Sequence, residues 1–295
     1  MAKTLLPTGF QDLTGAFAKK HLFILTMAAN YFTKLGYELV LPSLFEYQDS
    51  RKNHNSIQMI DGLTNQVIAI RSDITDQVSR IWEQEGAEQN KKYCYYGDVF
   101  YHKKHSIHHA RKLTQVGIEF ISQPSIENDL EVFNRTLEVL EELAIKDYAL
   151  VIAFPKLFFN YCKIRNISKL EQKKLQKYLL DKNLDALKSS GFKELLPFII
   201  PNKNIENNLS IEGLEAEIAL IKNLLNELKN LHPNLQIIID PFDIKKYNYH
   251  SDFVFSITSH KLKKAIARGG RYNIKDNQSA VGSSFYIEEL IACDI

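Results

Sequence analysis

Two runs of the chain, residues 93–102 (YCYYGDVFYH) and 112–121 (KLTQVGIEFI), carry dense aromatic and β-branched residues on either side of a polar, histidine-rich stretch. Such runs favour a pleated, half-buried surface, so they predict two long antiparallel strands joined by a loop, and any fold of this chain must be built on that pair. In the second strand Leu113, Gln115, Gly117 and Glu119 share one face, while Thr114, Val116, Ile118 and Phe120 share the other. The second face is predicted as core. The first sets an amide, a missing side chain and a carboxylate in a row, which suits either a solvated surface or the floor of a small-ligand site approaching the backbone at Gly117.

The flanking segments alternate helix and strand patterns. Apolar residues at helical spacing across 13–35, including Phe17, Leu22, Phe23, Ala28 and Phe32, predict an amphipathic helix stopped by Gly36. A strand over 37–42 follows, ended by Pro42, because proline cannot donate to a ladder. Residues 57–60 and 66–70 read as a hairpin and 74–83 as a short helix. A helix over 128–143 leads to a buried strand over 148–154. The stretch 155–229 is rich in Lys, Leu and Asn with helical periodicity, broken near Pro197 and Pro201. Strands are then expected over 235–240, 251–258, 264–267 and 280–286, with a last helix over 287–293. The expected class is α+β, an antiparallel sheet with flanking helices, and not a doubly wound sheet. No phosphate-cradling glycine loop of the P-loop or dinucleotide type is present.

Charge narrows the functional classes. With 37 Lys+Arg against 35 Asp+Glu the formal charge is only +2, so the global basic field of a nonspecific nucleic-acid binder is missing. Cys94, Cys162 and Cys293 form no CxxC pair and are read as reduced thiols of a cytoplasmic protein. The apolar runs are too short or too interrupted for a membrane span. His102, His105, His108 and His109 lack a carboxylate or thiol at ligand spacing and are read as a polar loop, so no metal site is expected. Tyr93, Tyr95 and Tyr96 are read as core and rim packing.

Taken in order, the segments 6–12 (LPTGFQD), 36–42 (GYELVLP), 71–75 (RSDIT), 96–100 (YGDVF), 115–119 (QVGIE), 267–272 (ARGGRY) and 280–282 (AVG) resemble the class II histidyl-tRNA synthetase catalytic core over nearly the whole chain. The resemblance implies a class II synthetase-like antiparallel sheet with a helical insert over 155–231, one core spanning 1–295, and no C-terminal anticodon-binding domain. It also implies an isologous homodimer through the segment ending at Pro42.

Three departures point to the non-catalytic branch of that superfamily, the histidyl-tRNA-synthetase-like regulatory subunits of ATP phosphoribosyltransferase. Where the synthetases grip the ATP α-phosphate with an arginine this chain has Tyr101, with Lys103 replacing a glutamate. In the segment 282–290 (GSSFYIEEL), Glu289 stands at the nucleotide-binding arginine. The third departure is the expected lack of the anticodon-binding domain. Losing one preorganised cationic donor typically costs about 10²–10³ in rate, and a carboxylate beside a triphosphate repels it.

The amino-acid pocket is kept better. Asp73, Thr75, Gln115 and Glu119 match histidine-holding groups, as do Tyr249 and His250; Arg111 and the turn of Gly269, Gly270, Arg271 and Tyr272 border the same cavity, and Lys245 stands for a catalytic arginine. The resemblance thus implies a regulatory subunit that does no chemistry and needs no cofactor. It would bind the short catalytic subunit of ATP phosphoribosyltransferase, activate it and transmit inhibition by histidine. The alternative is a minimal histidyl-tRNA synthetase or a related histidine-activating ligase; a stand-alone histidine-binding module is a third reading.

Overall fold

The computed structural model describes residues 5–48, 56–103, 110–199, 209–242, 252–274 and 278–293. A first helix, α1 (Gly15–Lys34), leads into β1 (Glu38–Val40), β2 (Phe45–Tyr47), β3 (Ile57–Ile60), β4 (Val67–Ile70) and α2 (Thr75–Gln84). The long pair β5 (Lys91–Phe100) and β6 (Lys112–Ile121) follows, then α3 (Ile126–Glu142) and β7 (Tyr148–Ala153). Helices α4 (Pro155–Ile164), α5 (Lys169–Leu180) and α6 (Leu184–Ser189), a 3-10 turn (Lys193–Phe198) and α7 (Glu215–Leu231) separate β7 from β8 (Gln236–Ile239). The chain continues through β9 (Val254–Ser259), β10 (Lys264–Asn273), β11 (Ser279–Tyr286) and α8 (Ile287–Ile291).

The main sheet orders its eight strands β1-β5-β6-β11-β10-β9-β7-β8. Strand β1 pairs in parallel with β5 at one rim and β8 in parallel with β7 at the other; the six strands between are antiparallel. A three-stranded sheet, β2-β4-β3, stands beside it. The expected hairpin is there as β3 and β4, but β2 was not foreseen.

Strand β10 is longer than expected. Residues 269–272 continue the ladder, with Gly269 opposite Ser283 and Phe255, and Gly270 opposite Gly282 and Val254. The glycines serve close strand packing and not a turn, because a Cβ on Gly269 would lie 2.5 Å from the Phe255 ring.

Each face of the sheet has its own core. On one face α1, α3 and the helices of 155–231 bury Phe32, Phe133, Phe158, Leu224 and Phe255 together with Val116, Ile118 and Phe120 of β6. Phe133 packs against Phe253 at 5.4 Å and Phe255 at 4.4 Å between ring centroids. On the other face a smaller core joins Ile74, Val78 and Trp82 of the α2 region to Tyr93, Tyr95, Leu113 and Tyr286. Trp82 is buried and its indole N–H donates to the Glu88 carbonyl (2.7 Å).

The apolar stripe of α1 is wider than its buried face. Ile24, Ala28, Ala29 and Phe32 are covered, whereas Phe17, Leu22 and Phe23 stay 61%, 62% and 56% exposed. None of the described helices is long and apolar enough to cross a membrane. Cys94 and Cys162 are buried free thiols.

Candidate functional site

The row Gln115, Gly117 and Glu119 on β6 is neither solvated nor open. Gln115 and Glu119 are 4% and 1% exposed, because α2 folds over this face. The space above Gly117 belongs to Tyr95, its register partner on β5: a Cβ at Gly117 would sit 2.7 Å from the Tyr95 hydroxyl oxygen. Gly117 therefore admits a neighbouring ring and not a ligand, which corrects the expectation of a backbone approach there.

Glu119 is the centre of the cluster. Its Oε1 accepts from Thr75 Oγ1 (2.7 Å) and, at longer range, the Tyr95 hydroxyl (3.4 Å), while Oε2 accepts from the Tyr272 hydroxyl (3.0 Å). Burial lifts its carboxyl to about 8; the hydroxyls of Thr75, Tyr272 and Tyr95 oppose that rise and the Asp73 charge adds to it. From β11, Gly282 faces the same carboxylate, and a Cβ there would overlap it. Tyr95 also shares a 2.5 Å hydrogen bond with Ser284 Oγ.

Asp73 sits just before α2 and turns back on the helix start. Its Oδ1 accepts from the backbone N–H groups of Ile74 (2.8 Å) and Thr75 (3.4 Å), a local arrangement that short acidic side chains favour at helix starts. Burial and then the charge of Asp76 raise its carboxyl to about 6, while those N–H groups and the Gln115 amide pull it back. Gln115 Oε1 is buried without a hydrogen-bond partner, so this amide still has an acceptor to offer.

Asp73, Thr75, Gln115 and Glu119 are thus brought together, with Tyr272 from the 267–272 segment. Arg111 is not in contact with that group: its Nε donates to the Tyr101 carbonyl (3.0 Å) and its guanidinium lies 5.0 Å over the Phe10 ring. Arg271 points to the opposite face of the sheet, where its Nε donates to Asp129 Oδ1 (2.6 Å). Tyr249, His250 and Lys245 lie outside the described residues, as do His105, His108 and His109. Among the described residues no group of three or more metal-ligating side chains forms.

Sequence reasoning missed Tyr95 and Ser284 as members of the site. The signal was available for Tyr95, since pairing of the two long strands sets it opposite Gly117. Arg71 also takes a role the sequence did not give it: Nε donates to the Asp98 carbonyl and Nη1 to the Pro42 carbonyl, both at 2.7 Å, tying the two segments together.

The positions that depart from the synthetase pattern are occupied by other contacts. Burial raises the pKa of the Tyr101 phenol strongly; the Tyr286 phenol and the Asp73 and Glu288 carboxylates add to the rise and the Arg268 guanidinium opposes it. Glu289 is buried with Lys264 Nζ at 3.7 Å. Glu288 accepts from both the backbone N–H (2.9 Å) and the hydroxyl (3.1 Å) of Thr114, fixing α8 to β6.

The chemistry of the cluster suits a cation, whose charge would favour ionisation of the raised Glu119 and Asp73 carboxyls. Among the described residues, no Lys or Arg contacts Asp73 or Glu119, so the two desolvated carboxyl groups have no cationic partner within the fold.

A family model described as Histidyl-tRNA synthetase matches residues 9–290. The ATP phosphoribosyltransferase regulatory subunit of Acinetobacter baylyi is 26% identical over 293 residues, covering 91% of this chain and 76% of that protein. A crystal structure of an ATP phosphoribosyltransferase regulatory subunit/histidyl-tRNA synthetase from Bacillus halodurans superposes with a TM-score of 0.83 at 15% identity, covering 99% of this chain and 83% of that one. A chain of the ATP phosphoribosyl transferase (HisG:HisZ) complex from Thermotoga maritima gives a TM-score of 0.74 at 18% identity, covering 90% and 97%. The eight-stranded sheet with its flanking helices is the class II synthetase-like α+β fold these structures share.

Proposed function

We propose, since this chain belongs to the histidyl-tRNA synthetase family, that it is a regulatory subunit of ATP phosphoribosyltransferase that binds and activates a short catalytic subunit and relays inhibition by histidine. The observation that carries this reading is a buried carboxyl cluster standing beside residues that offer a nucleotide no cationic grip at positions 101 and 289. Asp73, Thr75, Gln115 and Glu119 converge, while tyrosine replaces arginine at position 101 and Glu289 is buried beside Lys264. The name carried by a relative matched over 91% of the chain supports the same assignment.

In this reading the α-ammonium and imidazole of histidine take the two carboxylates, with Tyr249 and His250 closing the pocket. The molecule is one synthetase-like core with a helical insert over 155–231, paired with a second copy through the exposed Phe17, Leu22, Leu39 and Leu41. Histidine shifts the assembly between active and inhibited states only by the difference of its affinities for them.

Mixing the protein with a short ATP phosphoribosyltransferase and following turnover tests the proposal directly. Turnover should rise on addition of the chain and fall again with histidine; no change in turnover overturns the reading. ATP/pyrophosphate exchange driven by histidine, in the chain alone, would establish the ligase alternative instead.

A further inference from the structure

The proposed ligand carries a third charged group, its α-carboxylate, and Asp73 and Glu119 offer it nothing. A carboxylate brought among buried carboxyl groups needs a cation of its own, because like charges in a desolvated site repel. Most cations around the cluster are already engaged. Arg71 donates to the Asp98 and Pro42 carbonyls and Arg111 to the Tyr101 carbonyl. Lys112 pairs with Asp98 at 2.9 Å, and Lys264 stands 3.7 Å from Glu289. Arg271 is on the other face of the sheet with Asp129.

Arg268 is the exception. It lies three residues before Arg271 on β10, so the alternation along a strand turns it to the opposite face, the one that carries Tyr272 and Glu119. Register sets it in a row with Tyr95, Gly117 and Ser284, one residue from each of four adjacent strands. Tyr95 and Ser284 share a hydrogen bond, and Tyr95 also reaches Glu119. Within the row only a serine and a glycine separate Arg268 from Tyr95, and its neighbour on β9 is another serine, Ser256.

Its donors are unmatched. Arg268 is half-buried, its Nε is buried without a hydrogen-bond partner, and its guanidinium joins no ion pair among the described residues. A buried N–H left unpaired is costly, and an acceptor that arrives with a ligand recovers that cost. The Tyr101 phenol lies within electrostatic reach of both Arg268 and Asp73, which ties the cation to the acid cluster. Two strand spacings of about 4.8 Å and two residue rises of about 3.3 Å set the Arg268 and Glu119 backbones roughly 12 Å apart. That separation suits an amino acid held by its carboxylate at one end and by a cationic group at the other.

We infer that Arg268 determines the specificity of the pocket: its guanidinium takes the α-carboxylate of the bound amino acid, so the site holds the free amino acid and discriminates against the same molecule without its carboxylate. This rests on the histidine reading of the pocket given above.

Titration calorimetry on the full chain with L-histidine and with histamine, which lacks only the carboxylate, tests the assignment. The unaltered protein should bind L-histidine about tenfold or more tighter than histamine, the gain expected of a charge-assisted hydrogen bond. Arg268→Met should weaken L-histidine about tenfold and leave histamine unchanged, so that the preference disappears. Histamine is the internal control, since a misshapen pocket loses both ligands together. Equal affinities in the unaltered protein, unchanged L-histidine affinity in Arg268→Met, or a parallel loss of both ligands overturns the role of Arg268. If L-histidine still binds and Glu119→Gln still weakens it, the pocket reading survives that failure; if L-histidine does not bind at all, both fall. ATP provides the last arm: ATP binding that Arg268→Met weakens would assign the guanidinium to a phosphate and overturn the inference.

Discussion

On the helical face of the main sheet, Phe133 stacks on Phe253 and packs tilted against Phe255 within the larger apolar core. On the other face Thr75, Tyr95 and Tyr272 direct three hydroxyls onto one carboxylate, itself 1% exposed. The same strands serve both, since alternate residues of β6 and β10 point to opposite sides. The helical face gains stability from packed apolar area; the other holds desolvated carboxyl groups, a cost that only a ligand or a proton offsets. A fold with one strong face can keep a costly one without destabilising its scaffold.

The contrast can be broken most forcefully from the apolar side. Phe133→Ala should cost about 3–5 kcal/mol of unfolding free energy, measured by urea denaturation, because the two neighbouring phenylalanines cannot collapse into the gap. A loss below 1 kcal/mol would show that the helical face does not carry the fold.

The pocket side should instead respond to pH. Glu119 sits at about 8 in the fold and near the ordinary value of about 4.3 when unfolded. The folded state thus binds this proton more tightly. Its contribution is complete below the unfolded value and is lost as pH rises through the folded one, at up to about 1.4 kcal/mol per pH unit. Asp73, raised to about 6, adds the same sign over a lower window. Glu119→Gln mimics the protonated form, so it should flatten stability against pH between roughly 5 and 8 while lowering histidine affinity about tenfold by calorimetry. An unchanged slope refutes the buried-proton account, and unchanged affinity removes Glu119 from ligand contact.

The smallest effect sharpens the comparison at a boundary. Ser125 caps α3, accepting from the Asn128 N–H (3.2 Å). Ser125→Ala should cost about 1 kcal/mol by thermal denaturation, with histidine affinity unaltered. A matching loss of histidine affinity would mean that the two faces are coupled through α3.

Much of this was legible in the chain. The alternation in β6 fixed which residues share a side, and the helix and strand patterns placed most elements within a few positions. What escaped has a nonlocal cause. Burial of Gln115 and Glu119 depends on α2 lying over them, and the filling of Gly117 by Tyr95 depends on cross-strand register. The pair Gly269 and Gly270 reads locally as a turn, although Phe255 and the β11 backbone demand small residues in a continuous strand. The separation of Arg271 from Tyr272 follows from that same strand, which a turn would have hidden. Arg111, expected at the pocket, instead packs on Phe10, a contact that no motif encodes.

Trp82 is the only tryptophan in the sequence, and it is buried in the smaller core beneath the carboxylates. Its indole is a native optical probe: selective excitation gives an emission spectrum from that half of the molecule alone, while the phenylalanine-packed half stays dark. Loosening of the pocket side ahead of global unfolding would therefore be visible without attaching any dye.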